Sequence, residues 1–215
     1  TTTTTLLGEI FKNAGRISYV VGNIGDPYSA YASQMKDDDM VVCELSSFQL
    51  ETVDTFRPEI SLILNLTEDH LNRHHTMENY AAVKERVFMN QRGDDCVVLN
   101  YDDPITRGMA AHVKCRVVWF SRTQVPPEGA FVKDGLIMFG RSDAPTPVCK
   151  VEDVYIPGPH NLENALAATA AGFLVSLGYA PAAGPVLLTA FFSLAGAAAG
   201  DVVQKQRNGR GRGKR

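Results

Sequence analysis

Glu44, His70 and Lys84 are the residues of this chain whose types and settings suit metal or phosphate chemistry. Glu44 ends the apolar run VVCEL, and Ser46, Ser47 and Gln49 follow it at once. A second apolar run, ISLIL, gives way to Asn65, Thr67, Glu68, Asp69 and His70. Carboxylates, hydroxyls and amides of this kind hold hard divalent cations, directly or through water. In open α/β sheets ligands lie beyond the carboxyl ends of the strands, so two runs ending this way suggest one composite site. A solvated or capping glutamate is the plainer reading of Glu44, and on the residues alone both stay open. Lys84, in NYAAVKERVF, has the same duality. A helical lysine is ordinarily a surface group, whereas one beside a metal can be carbamylated into an anionic oxygen ligand.

Two further clusters carry possible chemistry. Thr1 to Thr5 precede an apolar helical stretch. They are either an N-cap region or the hydroxyl-bearing end of a phosphate loop, where helix N–H groups hold phosphates. In PGPHNLENALAA, His160, Asn161 and Asn164 lie at a helix start, with Asn161 as the expected N-cap and Asn164 one turn on. Paired amides there can read a base edge. His70, His74 and His75 match no closed zinc spacing. His74 and His75 are therefore expected to be exposed loop residues, with His70 the better ligand.

These residues need strands to carry them and helices to cover the strands. Helix periodicity in Leu6, Leu7, Ile10 and Phe11 stops at Gly15. Strands follow at 17–22, 40–45, 60–64, 96–100 and 117–120, with helices expected at 27–35, 77–90 and 103–111. Such alternation predicts an α/β fold with a mainly parallel, doubly wound sheet. Residues 130–139 then read as a hairpin turning at Asp134-Gly135, 148–156 as extended, and 161–174 as a helix.

Composition narrows the classes. The 215 residues are 45% hydrophobic and 21% charged, which suits one large globular domain or one domain and part of another. A net charge of -3 argues against a general nucleic-acid binder. The 165–200 region is apolar but broken by Gly and Pro, so no membrane span is expected. Cys43, Cys96, Cys115 and Cys149 show no CxxC spacing and read as buried free thiols of a reducing cytoplasm. Residues 175–215 are Ala/Gly/Arg-rich and read as disordered or out of frame. Six basic groups between Lys205 and Arg215 offer weak, salt-sensitive RNA or anionic-surface binding as a minor alternative.

In order, VGNIG, ELSSFQLE, NLTEDHLNRH, YAAVKERVF and PGPHNLENALAA resemble the central ATP-binding domain of the Mur ligase family, over about residues 1–174. The ELSSFQL wording is most similar to its D-glutamate-adding branch. The resemblance implies a P-loop-type sheet with a small antiparallel β extension. It also implies ATP-dependent joining of D-glutamate to UDP-N-acetylmuramoyl-L-alanine through an acyl phosphate, in peptidoglycan precursor synthesis.

By the same resemblance, Thr1 and Thr2 follow the phosphate-loop lysine, with Thr1 and Glu44 on one of two magnesium ions. His70 and a carbamylated Lys84 serve the other. Asn23, Ser46 and Gln49 hold the muramoyl substrate, and Asn161 and Asn164 approach the adenine. A monomeric bacterial cytoplasmic protein is implied. The family's Gly-rich loop and lysine are expected just before Thr1, on a strand inside the sheet, and its flanking domains are not in this sequence. The chain alone is therefore expected to be inactive. Another Mur ligase, a folylpolyglutamate synthase-like amide ligase, or a non-catalytic nucleotide- or metal-binding module are the alternatives.

Overall fold

The structure, a computed structural model, describes residues 1–179 and 186–191. Helix α1 (Thr2–Asn13) leads into strand β1 (Ser18–Gly22), and β2 (Met40–Glu44) is followed by the single turn α2 (Ser47–Leu50). Strand β3 (Ile60–Ile63) precedes α3 (Leu71–His74) and α4 (Met77–Glu85). Then come β4 (Cys96–Asn100), α5 (Pro104–Met109), β5 (Arg116–Ser121), β6 (Glu128–Lys133), β7 (Leu136–Arg141) and β8 (Thr146–Lys150). Helix α6 (Pro159–Ser176) and β9 (Val186–Phe191) complete the described chain.

The strands form one sheet in the order β1-β2-β9-β3-β4-β5-β6-β7-β8. Pairing is parallel from β1 through β6 and antiparallel across β6–β7 and β7–β8. The α/β class and its antiparallel extension are thus as the strand–helix alternation predicts. The hairpin turns where expected, with φ of 51° at Asp134 and 75° at Gly135, the two positive values that a type I′ turn needs.

Both faces of the sheet are covered, which is why its central strands read as unbroken apolar runs. Met40, Val42, Cys96 and Val98 join a core with Leu7 and Phe11 of α1 and the alanine-rich face of α6. The alternate residues Val97 and Leu99 turn to the other face and pack with Leu50, Tyr80, Val87, Phe88 and Met109. All five residues of β2 are buried. Its end residue, Glu44, is therefore carried into the interior by the register of its neighbours.

Four expectations change. The helix expected at 27–35 is only the 3-10 turn Tyr28–Ala30. Apart from the half-buried Tyr31 and Met35, that segment is exposed, and a short helix without a packed face is not stable. The helix expected at 77–90 relaxes to 3-10 geometry at Arg86–Phe88. The extended 148–156 segment ends at Lys150 and gives way to the 3-10 turn Val151–Asp153. The Ala/Gly-rich tail contributes β9, which lies inside the sheet, parallel to both β2 and β3. The disorder and frame readings for 180–185 and 192–215, including the basic run, fall outside the described residues.

Candidate functional site

The two apolar runs singled out in the sequence are β2 and β3; they run parallel with β9 between them rather than side by side, and β1 flanks β2. Parallel pairing sets Gly22 opposite Glu44. With φ at +105°, Gly22 passes so close that a Cβ there would meet the Glu44 carbonyl oxygen at 2.2 Å. Only glycine permits that approach, and it delivers Asn23 to the end of β2. The Asn23 backbone N–H donates to the Glu44 carbonyl at 2.7 Å, and its Nδ2 donates to Glu44 Oε1 at 3.2 Å. Glu44 itself is 7% exposed. Its other oxygen, Oε2, is shut off from solvent without a hydrogen bond of good geometry. It lies 2.7 Å from the amino nitrogen of Thr1, at the start of α1.

Ser46 and Gln49 meet as a capping box on α2. The Gln49 N–H donates to Ser46 Oγ at 3.3 Å, and Ser46 N–H donates to Gln49 Oε1 at 2.7 Å. The carboxamide oxygen of Gln49 is therefore committed to the turn, while its amide nitrogen is not used by the box.

His70 adopts the left-handed conformation, φ 54°, at the N-cap of α3. For a residue with a Cβ this is uncommon backbone. Asp69 Oδ1 accepts from the His70 backbone N–H at 2.8 Å, and the His70 ring packs at 4.9 Å from that of Phe48. His75 is exposed and also has a positive φ, 68°. His74 overturns its expected placement. It is 5% exposed, lies between Phe48 and Tyr80, and its Nε2 sits 3.0 Å from Ser47 Oγ. Burial holds its pKa below the usual histidine value, opposed by Glu51.

Lys84 is not the surface lysine of ordinary helices. It is 2% exposed, with its Nζ 5.3 Å from the centroid of the Tyr80 ring. Burial brings its pKa down to about 8, against the charges of Asp69 and Glu44. A hard cation such as magnesium needs only one or two protein carboxylates besides substrate phosphates and water. Among the described residues no three His, Cys, Asp or Glu side chains converge as a closed cage. The buried carboxylate of Glu44, with Oε2 facing the N-cap residue Thr1, is consistent with such an open site. The four cysteines are free, and burial pushes Cys43 and Cys115 to about 11 and Cys96 to about 12, so these three are inert thiols.

The adenine-side candidates lie at the start of α6. Asn161 is not its N-cap; Gly158 is, with φ +105°. Asn161 sits within the first turn, where its Nδ2 donates to the Pro157 carbonyl at 2.7 Å. Asn164 Nδ2 donates to Asn161 Oδ1 at 3.2 Å, and Thr3 of α1 donates to Asn164 Oδ1 at 3.1 Å. Thr1 and Thr2 thus stand at the start of a helix whose next residue bonds the asparagine pair. Thr3 was not foreseen, although its spacing from Leu7 and Phe11, four and eight residues on, marks one helix face.

A family model described as the Mur ligase middle domain matches residues 1–172. The UDP-N-acetylmuramoylalanine–D-glutamate ligase of Caldanaerobacter subterraneus subsp. tengcongensis is 55% identical over 174 residues, covering 81% of this chain and 38% of the relative. Its counterpart in Clostridioides difficile is 48% identical over 177 residues, covering 82% and 39%. The chain thus spans about two fifths of the length of these curated relatives. Among solved structures, MurF from Acinetobacter baumannii is similar with a TM-score of 0.60 at 16% identity, covering 82% of this chain and 40% of that one. MurF ligase from Thermotoga maritima in complex with ADP gives 0.57 at 18%, covering 82% and 43%. At such identities the likeness speaks for the fold. The extent of the family match makes the assignment direct: this chain belongs to the Mur ligase family, and residues 1–172 are a Mur ligase middle domain.

Proposed function

We propose that this chain is the nucleotide-handling part of a ligase that joins D-glutamate to UDP-N-acetylmuramoyl-L-alanine at the expense of ATP. The names of the curated relatives support the substrates. The observation that carries the nucleotide role is Glu44, a buried carboxylate whose Oε1 accepts from Asn23 and whose Oε2 faces Thr1, the N-cap of α1. In the proposed reaction the substrate carboxylate attacks the γ-phosphorus of ATP, and the bond to the β–γ bridging oxygen breaks to release ADP. The amine of D-glutamate then adds to the acyl phosphate carbon, loses a proton, and phosphate departs as the amide forms.

The chain's own residues would divide the work. The N-terminal turn of α1 has free N–H groups and the positive end of the helix dipole, and with Thr1 and Thr2 it would face phosphate. Glu44, oriented by Asn23, would hold one magnesium ion together with Thr1, and His70 with Lys84 would serve a second. Magnesium, when bound, neutralises charge on the phosphoryl oxygens. A lysine with a pKa of about 8 has an appreciable neutral fraction near that pH, and the neutral amine is the form that adds carbon dioxide to give a carbamate. Asn23, Ser46 and the free amide nitrogen of Gln49 would hold the muramoyl substrate, with Asn161 and Asn164 at the adenine.

In the same reading residues 1–174 act as the central domain, whose sheet also takes in β9 (Val186–Phe191), and the protein is a cytoplasmic monomer. Among the described residues no helix is long and apolar enough to cross a membrane. The discriminating experiment is calorimetric titration of the chain with UDP-N-acetylmuramoyl-L-alanine and with a UDP-muramoyl tripeptide, each with magnesium. Stronger binding of the monopeptide is expected. Preference for the tripeptide would move the chain to another branch, and binding of neither would remove the substrate reading.

A further inference from the structure

Along the sheet, strand order follows chain order with one exception. β1 lies beside β2, and β3 to β8 follow one another, but β9 stands between these two blocks. Among the described residues β2 and β3 do not pair with each other. β9 runs parallel to both, with Val186–Ala190 against Met40–Glu44 on one side and Leu188–Phe191 against Ile60–Ile63 on the other. Helices on one face hold the blocks in place: α1 packs on β1 and β2, α6 packs on β3 to β7, and the two helices pack on each other. The frame around β9 is thus built largely from elements other than β9. Its walls also set what fits. Residues 40–42 and 60–63 are fully buried, and a strand covered on both faces is apolar throughout. β9 reads VLLTAF.

We propose that the interval between β2 and β3 is a strand-binding slot: it takes an extended apolar segment of six residues in parallel register, supplied as β9 or, in its place, by another chain. Backbone N–H and C=O groups along β2 and β3 provide the affinity, as in β-strand addition, because buried backbone groups are costly to leave unpaired. The slot opens on the candidate site. Ala190 pairs with Glu44, and Glu44 Oε2 lies 2.7 Å from the amino nitrogen of Thr1. A strand supplied by another chain would therefore deliver its next residues to Glu44 and the start of α1.

The test uses the whole chain and a peptide of residues 186–191, labelled at its amino end, away from the candidate site. In wild type β9 competes at an effective concentration on the order of millimolar, so micromolar peptide meets a filled slot. Thr189 pairs with Cys43 and Ser61, and Thr189→Pro removes a ladder donor from a central strand. By fluorescence anisotropy, Thr189→Pro should bind the peptide at least about tenfold more tightly than wild type does. A peptide carrying the same proline should not bind. Hydrogen-exchange protection in β2 and β3 should rise as the unchanged peptide binds. Equal affinity in wild type and Thr189→Pro, equal binding of the proline peptide, or binding without added protection would each overturn the slot. If Thr189→Pro does not fold alone, a peptide that restores its cooperative thermal transition supports the slot, and failure to restore it overturns it.

Discussion

His74 and Ser47, on two helices far apart in sequence, are joined by a 3.0 Å contact between His74 Nε2 and Ser47 Oγ, both residues buried. The contact ties α2, which carries the Ser46–Gln49 capping box, to the loop that holds His70 in its left-handed conformation. Phe48 packs against both histidine rings and completes the connection. The two polar clusters read from sequence as one composite site are thus mechanically one unit.

This pairing has a pH signature. Burial holds the His74 pKa below 6.5, so between that value and its lower folded value the unfolded chain binds more protons. Its contribution to stability is complete above pH 6.5 and is lost as the pH falls through that window. Urea melts of wild type and His74→Gln should therefore converge between pH 7 and pH 5. A constant difference across that range would show that folding leaves the His74 pKa unchanged.

Lys84 has the same sign over a different range. Its pKa drops from 10.5 to about 8 through burial, so folding is penalised below pH 8 and the penalty fades toward pH 10.5. At about 1.4 kcal/mol per unit, Lys84→Met should stabilise the chain by up to about 3 kcal/mol at pH 7. Thermal melts in carbon dioxide-free buffer would check this, and a destabilised variant would mean that the amine's partners outweigh its desolvation. In ¹³C-labelled bicarbonate near pH 8, a carbamate signal is expected from wild type and not from Lys84→Met.

Gly22 is the backbone hinge at the end of β1. Gly22→Ala would put a Cβ 2.2 Å from the Glu44 carbonyl in a φ of +105°. A loss on the order of 2–3 kcal/mol is expected, from clash and backbone strain together. Denaturant unfolding measures it, and a near-neutral effect would show that β1 and β2 separate easily at their ends.

Much of this arrangement is legible in the sequence because its signals are local. The unbroken apolar runs ending at Glu44 and after Ile63 mark central strands, and Asp134-Gly135 marks the hairpin turn. What escapes is set by tertiary packing. His74 sits in a four-residue helix too short for any periodicity, and it is buried only because Phe48 and Tyr80 close over it. Lys84 resembles any surface lysine until α4 packs on the sheet. Asn161 looks like an N-cap, but Gly158 and Pro159 start the helix three residues earlier. The place of β9 inside the sheet depends on pairing with distant strands, which its own short apolar run does not specify.

The central claim is that Glu44 is the carboxylate through which this domain engages a magnesium nucleotide. It is tested most directly by titrating ATP into wild type and Glu44→Gln, with and without magnesium. Wild-type affinity should rise at least about tenfold with the ion, a gain of about 1.4 kcal/mol, and Glu44→Gln should show no such rise. Magnesium-independent binding in wild type, or an undiminished magnesium effect in Glu44→Gln, would contradict the account.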